Sequence, residues 1–290
     1  MPETSPSQPP VQPLIQHHGQ RVPSFLYGTA WKEDRTEALT RLALQAGFRG
    51  IDTANQRKHY YEEGVGRAVQ AALAEGLLSR ADLFLQTKFT FVAGQDHRLP
   101  YDPTADFATQ VQQSFASSLK HLGTDYLDAY VLHGPSTGTG LGAADWQVWE
   151  AMEALQKSGS VKLLGVSNVR YDQLELLLER AAVKPVFVQN RCYAQTGWDA
   201  RVRELCRKHA ILYQGFSLLT ANARELSHPS LHAIAARHDC SVSRLVFRFA
   251  LQVGMMPLTG TSNPEHMRED LAAYEIALSE AEINTIANIG

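Results

Sequence analysis

Eight short apolar runs rich in β-branched and aromatic residues recur along the chain, at 25–28, 48–52, 83–88, 126–133, 161–167, 186–190, 211–216 and 255–260. Between them, segments at 35–45, 62–75, 107–122, 146–158, 171–180 and 198–209 bring apolar residues back every three or four positions, the spacing of a helix with one buried side. Strict alternation of strand and helix forces parallel strands, and right-handed crossovers then leave either an open doubly wound sheet or a closed barrel. Eight units favour closure. The predicted fold is therefore α/β, a single-domain (β/α)8 TIM barrel, and 290 residues suit one such core. Gly47, Gly76, Gly123 and Gly159 each follow a helical run, where a left-handed residue ends a helix at little cost. Residues 1–16, rich in Pro, Ser and Gln, read as a mobile N-terminal arm, leaving 17–290 for the barrel.

Composition removes several function classes. A formal net charge of -3 with the two signs interleaved offers no basic face for nucleic acid or an anionic membrane. The three cysteines, Cys192, Cys206 and Cys240, lack the pairing and spacing of a disulfide framework or a structural metal site. His228 and His232 stand four apart, but Pro229 between them marks a helix start rather than a metal-binding face. No apolar run reaches the roughly 20 residues of a membrane span. The expectation is a soluble cytoplasmic protein, a monomer or weak oligomer, acting on a small molecule and using no metal.

In a barrel of this kind the active site is built where the strands end. Those positions here carry Asp52, Lys88, His133, Ser167 and Asn168, Gln189 and Asn190, and Phe216 and Ser217. Taken singly, an Asp or Asn caps a turn, a Lys snorkels and a His fills a partly polar core. Asp, Lys and His at the same end of three consecutive strands are costly as packing, and point to a site.

The segment Phe48-Arg49-Gly50-Ile51-Asp52-Thr53-Ala54, followed by Tyr60 and Glu62-Glu63-Gly64-Val65-Gly66, resembles the signature of the aldo-keto reductase family. The resemblance continues through Thr87-Lys88, the run from Leu127 to His133, Gly165-Val166-Ser167-Asn168, Pro257 and the helix start Pro264-Glu265. It implies reduction of an aldehyde or ketone by hydride from NADPH, with Asp52, Tyr60, Lys88 and His133 as the catalytic tetrad. In that reading Tyr60 gives the proton, with Lys88 lowering its pKa and Asp52 orienting Lys88. His133 holds the substrate oxygen. Ser167, Asn168 and one of Gln189 or Asn190 grip the nicotinamide carboxamide, Phe216 stacks on the ring, and Ser217 follows it.

The chain departs from the family pattern in places. The gap between Asp52 and Tyr60 is about two residues longer than usual and Tyr61 stands next door; Tyr60 is preferred because Tyr61-Glu62 then falls where the family has Asn-Glu. The family's Pro-Lys-Ser run, which binds the 2′-phosphate of NADPH, loses its Lys, and His266 replaces the Arg of the next helix. Thr261, Ser262, Asn263, His266 and Arg268 are left as contacts at a helix N-terminus, with NADPH expected and NADH the alternative. Trp31, His59, Tyr61, Phe89 and Trp198 are candidates for lining the substrate site. A nicotinamide-binding regulatory protein with little turnover, or an alcohol or sugar dehydrogenase running oxidatively, are the competing functions. The run Gly138–Ala143 fits GxGxxA, but no acidic residue follows at the next strand end, so it reads as loop.

Overall fold

The computed structural model describes residues 12–290. A hairpin comes first, β1 (Leu14–His17) against β2 (Gln20–Pro23). Eight parallel strands follow: β3 (Leu26–Gly28), β4 (Gly50–Asp52), β5 (Phe84–Phe89), β6 (Leu127–Leu132), β7 (Val161–Ser167), β8 (Phe187–Arg191), β9 (Leu212–Phe216) and β10 (Met255–Thr259). They pair in chain order, and β10 closes on β3 through Leu258 opposite Leu26 and Thr259 opposite Tyr27. The expected (β/α)8 barrel is thus the observed fold. Helices Thr36–Ala46, Glu62–Ala74, Phe107–Leu122, Ala143–Lys157, Tyr171–Arg180 and Ala200–Lys208 link the strands up to β9. Three more, Ala223–Leu226, Pro229–Arg237 and Val242–Gln252, lead to β10, and Pro264–Leu271 and Glu280–Ala287 complete the wall. No helix among the described residues is long and apolar enough to cross a membrane.

The arm expected over 1–16 falls largely outside the described residues. Its end does not: Leu14, Ile15 and Gln16 pair with Pro23, Val22 and Arg21. Val22 and Ile15 join an apolar cluster with Leu26, Phe84, Ala129, Leu163, Phe187, Met256 and Leu258, so the hairpin stoppers the end of the barrel where the strands begin. The four glycines expected to end helices all take left-handed φ values, from 65° to 113°, a region closed to most side chains.

Side-chain direction in β5 shows how the barrel is filled. Phe84 belongs to the inner apolar cluster, whereas Leu85 and Phe89 belong to the larger cluster between strands and helices. With a period of two, Phe84, Gln86 and Lys88 point inward at rising heights. The interior is therefore apolar where strands begin and polar where they end.

Candidate active site

The polar layer is centred on Asp52, at the end of β4. Its two carboxylate oxygens each lie 2.7 Å from Lys88 Nζ, and that ammonium also donates to Thr53 O at 2.8 Å. Gln86 and Gln189 donate to Asp52 Oδ1 at 2.7 and 3.0 Å, and both also donate to Gln214 Oε1 at 2.8 Å. Both members of the ion pair are buried. Desolvation pulls the Lys88 pKa down while Asp52 pushes it back up. A buried pair is tolerated only when its remaining valences are satisfied, and the glutamines satisfy them.

Tyr60 reaches this pair through a turn that absorbs the extra residues of its loop. Gln56 O accepts from both His59 N and Tyr60 N at 3.0 Å, while Gln56 Nε2 anchors to Gly94 O at 2.6 Å. The Tyr60 ring centroid stands 5.2 Å from Lys88 Nζ and 5.9 Å from the His133 ring. Burial first, then the charge of Asp52, raise the phenol pKa well above its ordinary value. Sequence reasoning expected Lys88 to lower it. The ammonium is instead committed to Asp52 and Thr53, so the phenol keeps its proton.

His133 follows β6. Thr90 Oγ1 lies 2.7 Å from its Nδ1. When Thr90 donates, the ring proton sits on Nε2. Burial and the neighbouring Lys88 hold the imidazole well below its usual pKa, so it is neutral. Thr90 had no sequence signal beyond its place just past a strand end.

Across the same cavity, Ser167 Oγ donates to Gln189 O at 2.7 Å, and Asn168 Nδ2 donates to His133 O at 2.8 Å. Asn168 and Ser217 both have positive φ, 52° and 58°; such backbone is sparsely populated and clusters at working sites. The cavity measures about 1150 Å³ and runs from Trp31, His59, Tyr60 and His133, past Asn168 and Phe216, to Thr261, Ser262 and His266. That exceeds the size of an ordinary small-molecule pocket, and leaves room for a dinucleotide beside a substrate.

The structure brings together Asp52, Tyr60, His133, Ser167, Asn168, Gln189, Phe216, Ser217, Thr261, Ser262, His266, Trp31 and His59 on that cavity, with Lys88 directly beneath. Six candidates lie elsewhere. Asn190 turns outward, its amide bonded to the Val169 backbone and to Asp199. Phe89 is buried and stacks on Tyr101 at 5.5 Å. Tyr61 sits under the guanidinium groups of Arg57 and Arg67, at 4.3 and 5.3 Å. Asn263 caps the helix Pro264–Leu271 by accepting from Glu265 N, and Arg268 is exposed on that helix outside the cavity. Trp198 is core, donating to Ile286 O.

Residues 25–290 match the family model described as Aldo/keto reductase family. The chain is 30% identical over 272 residues to the uncharacterized oxidoreductase YtbE of Bacillus subtilis (strain 168), covering 93% of this chain and 90% of that one. It is 26% identical to prostaglandin F synthase 1 of Bos taurus, over 96% of this chain and 91% of that protein. Among solved structures, an aldo/keto reductase from Brucella melitensis superposes with a TM-score of 0.81 at 29% identity, covering 97% of this chain and all of that one. A Bombyx mori aldo-keto reductase in complex with NADP superposes at 0.80, with 23% identity over 96% of this chain and 93% of its own.

Proposed function

Since the chain belongs to the aldo/keto reductase family, whose members include NAD(P)H-dependent oxidoreductases, we propose that it reduces an aldehyde or ketone to the alcohol with NADPH, Tyr60 giving the proton. One observation carries the reading: a protonated phenol and a neutral imidazole share a cavity wall above a buried Asp52–Lys88 pair.

The bound dihydronicotinamide supplies the hydride. Ser167, Asn168 and Gln189 fit its carboxamide and Phe216 fits its ring face. Both N–H groups of Gln189 are spent on Asp52 and Gln214, so its Oε1 is the atom left to accept from the carboxamide NH2. His133 Nε2–H and the Tyr60 hydroxyl hold the substrate oxygen, which orients the carbonyl carbon. As that carbon gains hydride its oxygen becomes an alkoxide and takes the Tyr60 proton, giving the alcohol. The high pKa of the phenol makes the phenolate left behind short-lived, and solvent at the open mouth returns the proton.

The test compares Tyr60→Phe with Tyr61→Phe in aldehyde reduction. Tyr60→Phe is expected to lower kcat by at least about 10²-fold with NADPH binding retained, and Tyr61→Phe to change it by less than about threefold. The reverse pattern overturns the assignment. A wild-type protein that binds NADPH yet oxidises none of it with reactive aldehydes would favour the regulatory reading.

A further inference from the structure

A second, more open cavity of about 730 Å³ lies between the loops that follow β7 and β8. Asn168, Arg191 and Tyr193 belong both to its wall and to that of the active-site cavity. The shared wall begins beside the reacting groups, since Asn168 Nδ2 donates to His133 O at 2.8 Å. Gly134 adds no side chain at that crossing; a Cβ there would stand 3.5 Å from Asn168 Cβ. Arg170, Arg191 and Arg201 all line the second cavity. Arg170 is engaged by Asp172 at 3.2 Å. Arg191 and Arg201 have no carboxylate partner among the described residues, and lie over the rings of Phe216 and Tyr171, 5.6 and 4.9 Å from their centroids. The other carboxyl of this wall, Asp199, accepts from Asn190 Nδ2 at 3.0 Å and from the Tyr213 hydroxyl at 2.8 Å. Two guanidinium groups thus meet at one cavity whose carboxyls are already engaged, and the planar fork of a guanidinium matches a carboxylate.

We propose that the second cavity receives the far end of the carbonyl substrate, and that this end carries a carboxylate held by Arg191 and Arg201. The inference rests on the proposed reduction, because the carbonyl end must sit between Tyr60 and His133. The link between the two ends crosses at Asn168 and Gly134. Tyr193, on the shared wall and 40% exposed, offers its ring to an aliphatic spacer. Arg191 stands at the boundary of the two cavities, and Arg201 lies beyond it in the first turn of the helix Ala200–Lys208. The substrate class that fits is the ω-oxo acids, aldehydes with a carboxylate at the opposite end. Both guanidinium groups are exposed, so solvent screening keeps the effect of each contact to about fivefold.

The experiment follows NADPH oxidation by the whole chain with ω-oxo acids of increasing length and with their methyl esters, which lack the far charge. Wild type should use the best-fitting acid with kcat/KM at least about tenfold above that of its ester. Arg191→Met and Arg201→Gln should each raise KM for that acid about fivefold, leaving kcat, and kcat/KM for the ester, within about twofold. Arg201 lies over Tyr171 rather than Phe216, so Arg201→Gln decides the matter if Arg191→Met also disturbs the cofactor wall. An ester as good as its acid at every length, a preference that survives in both variants, or parallel loss of acid and ester in Arg201→Gln overturns the inference and leaves the proposed reduction standing. Oxidation of NADPH by neither series would defeat the proposed function, and this inference with it.

Discussion

Gln189 Nε2 donates to Asp52 Oδ1 at 3.0 Å, so an amide on the cofactor wall is tied to the ion pair under the phenol. A carboxylate in an ion pair offers only acceptors, which dictates the way the Gln189 amide faces. Gln189→Leu is expected to remove donors from both Asp52 and Gln214. The cost should be about 1–3 kcal/mol of stability in urea unfolding, with NADPH binding weakened roughly tenfold by loss of the Oε1 acceptor. Unchanged stability would show that the glutamine layer does not support Asp52.

His133 is neutral because it is buried beside Lys88, and the Tyr60 phenol is held protonated by burial and by Asp52. Neither group then titrates in the middle of the pH range. The value of kcat/KM for aldehyde reduction should be flat from about pH 6 to about pH 9, where ordinary His would change charge near 6.5. An inflexion near 6.5 in wild type that disappears in His133→Gln would contradict the neutral imidazole.

Gly66 lies where the helix Glu62–Ala74 crosses the end of Phe107–Leu122. A Cβ there would stand 1.9 Å from His121 O and 3.0 Å from Leu122 Cα, and backbone atoms cannot swing aside. Gly66→Ala should therefore cost about 3 kcal/mol, as overpacking does. Gly76, with φ of 71° and open space around it, is the control. Gly76→Ala should cost about 1 kcal/mol, from its left-handed backbone alone. Equal costs in thermal unfolding would mean that the helix crossing is looser than the geometry requires.

The barrel was legible because its strands are buried on both faces and read as continuous apolar runs separated by helical periods. That same continuity hid side-chain direction. Phe187 and Val188 are both apolar, so no alternation told which of Gln189 and Asn190 points inward; the register of β8 against β9 decides it. Tyr60 and Tyr61 sit in a loop with no period, and only the turn at Gln56 separates them. The hairpin escaped notice because its strands are only four residues each and half polar, although His18-Gly19, with φ of 47° and 73°, is a hairpin-type turn. Lys32, whose ammonium donates to Gly260 O, could not be linked to that residue by any local pattern. Their 228-residue separation is crossed only when β10 closes on β3.

Asp270 provides the clearest pH dependence of stability. It is 2% exposed and its carboxyl is pushed up to about 7, first by burial, with Thr259 Oγ1 donating to it at 2.7 Å. An unfolded aspartate loses its proton near 3.9. Between about pH 4 and pH 7 the folded protein therefore keeps a proton that the unfolded chain has released. The stability this group contributes is complete below about pH 4 and is lost as pH rises through about 7. At most it amounts to roughly 4 kcal/mol, from a shift of about three units. Asp270→Asn keeps an acceptor for Thr259 and carries no charge at any pH. It is expected to flatten the fall in stability between pH 5 and pH 8, and to be the more stable protein at pH 8. Urea unfolding of both proteins at the two pH values measures the difference; the same slope in each would mean that Asp270 is ionised in the folded chain.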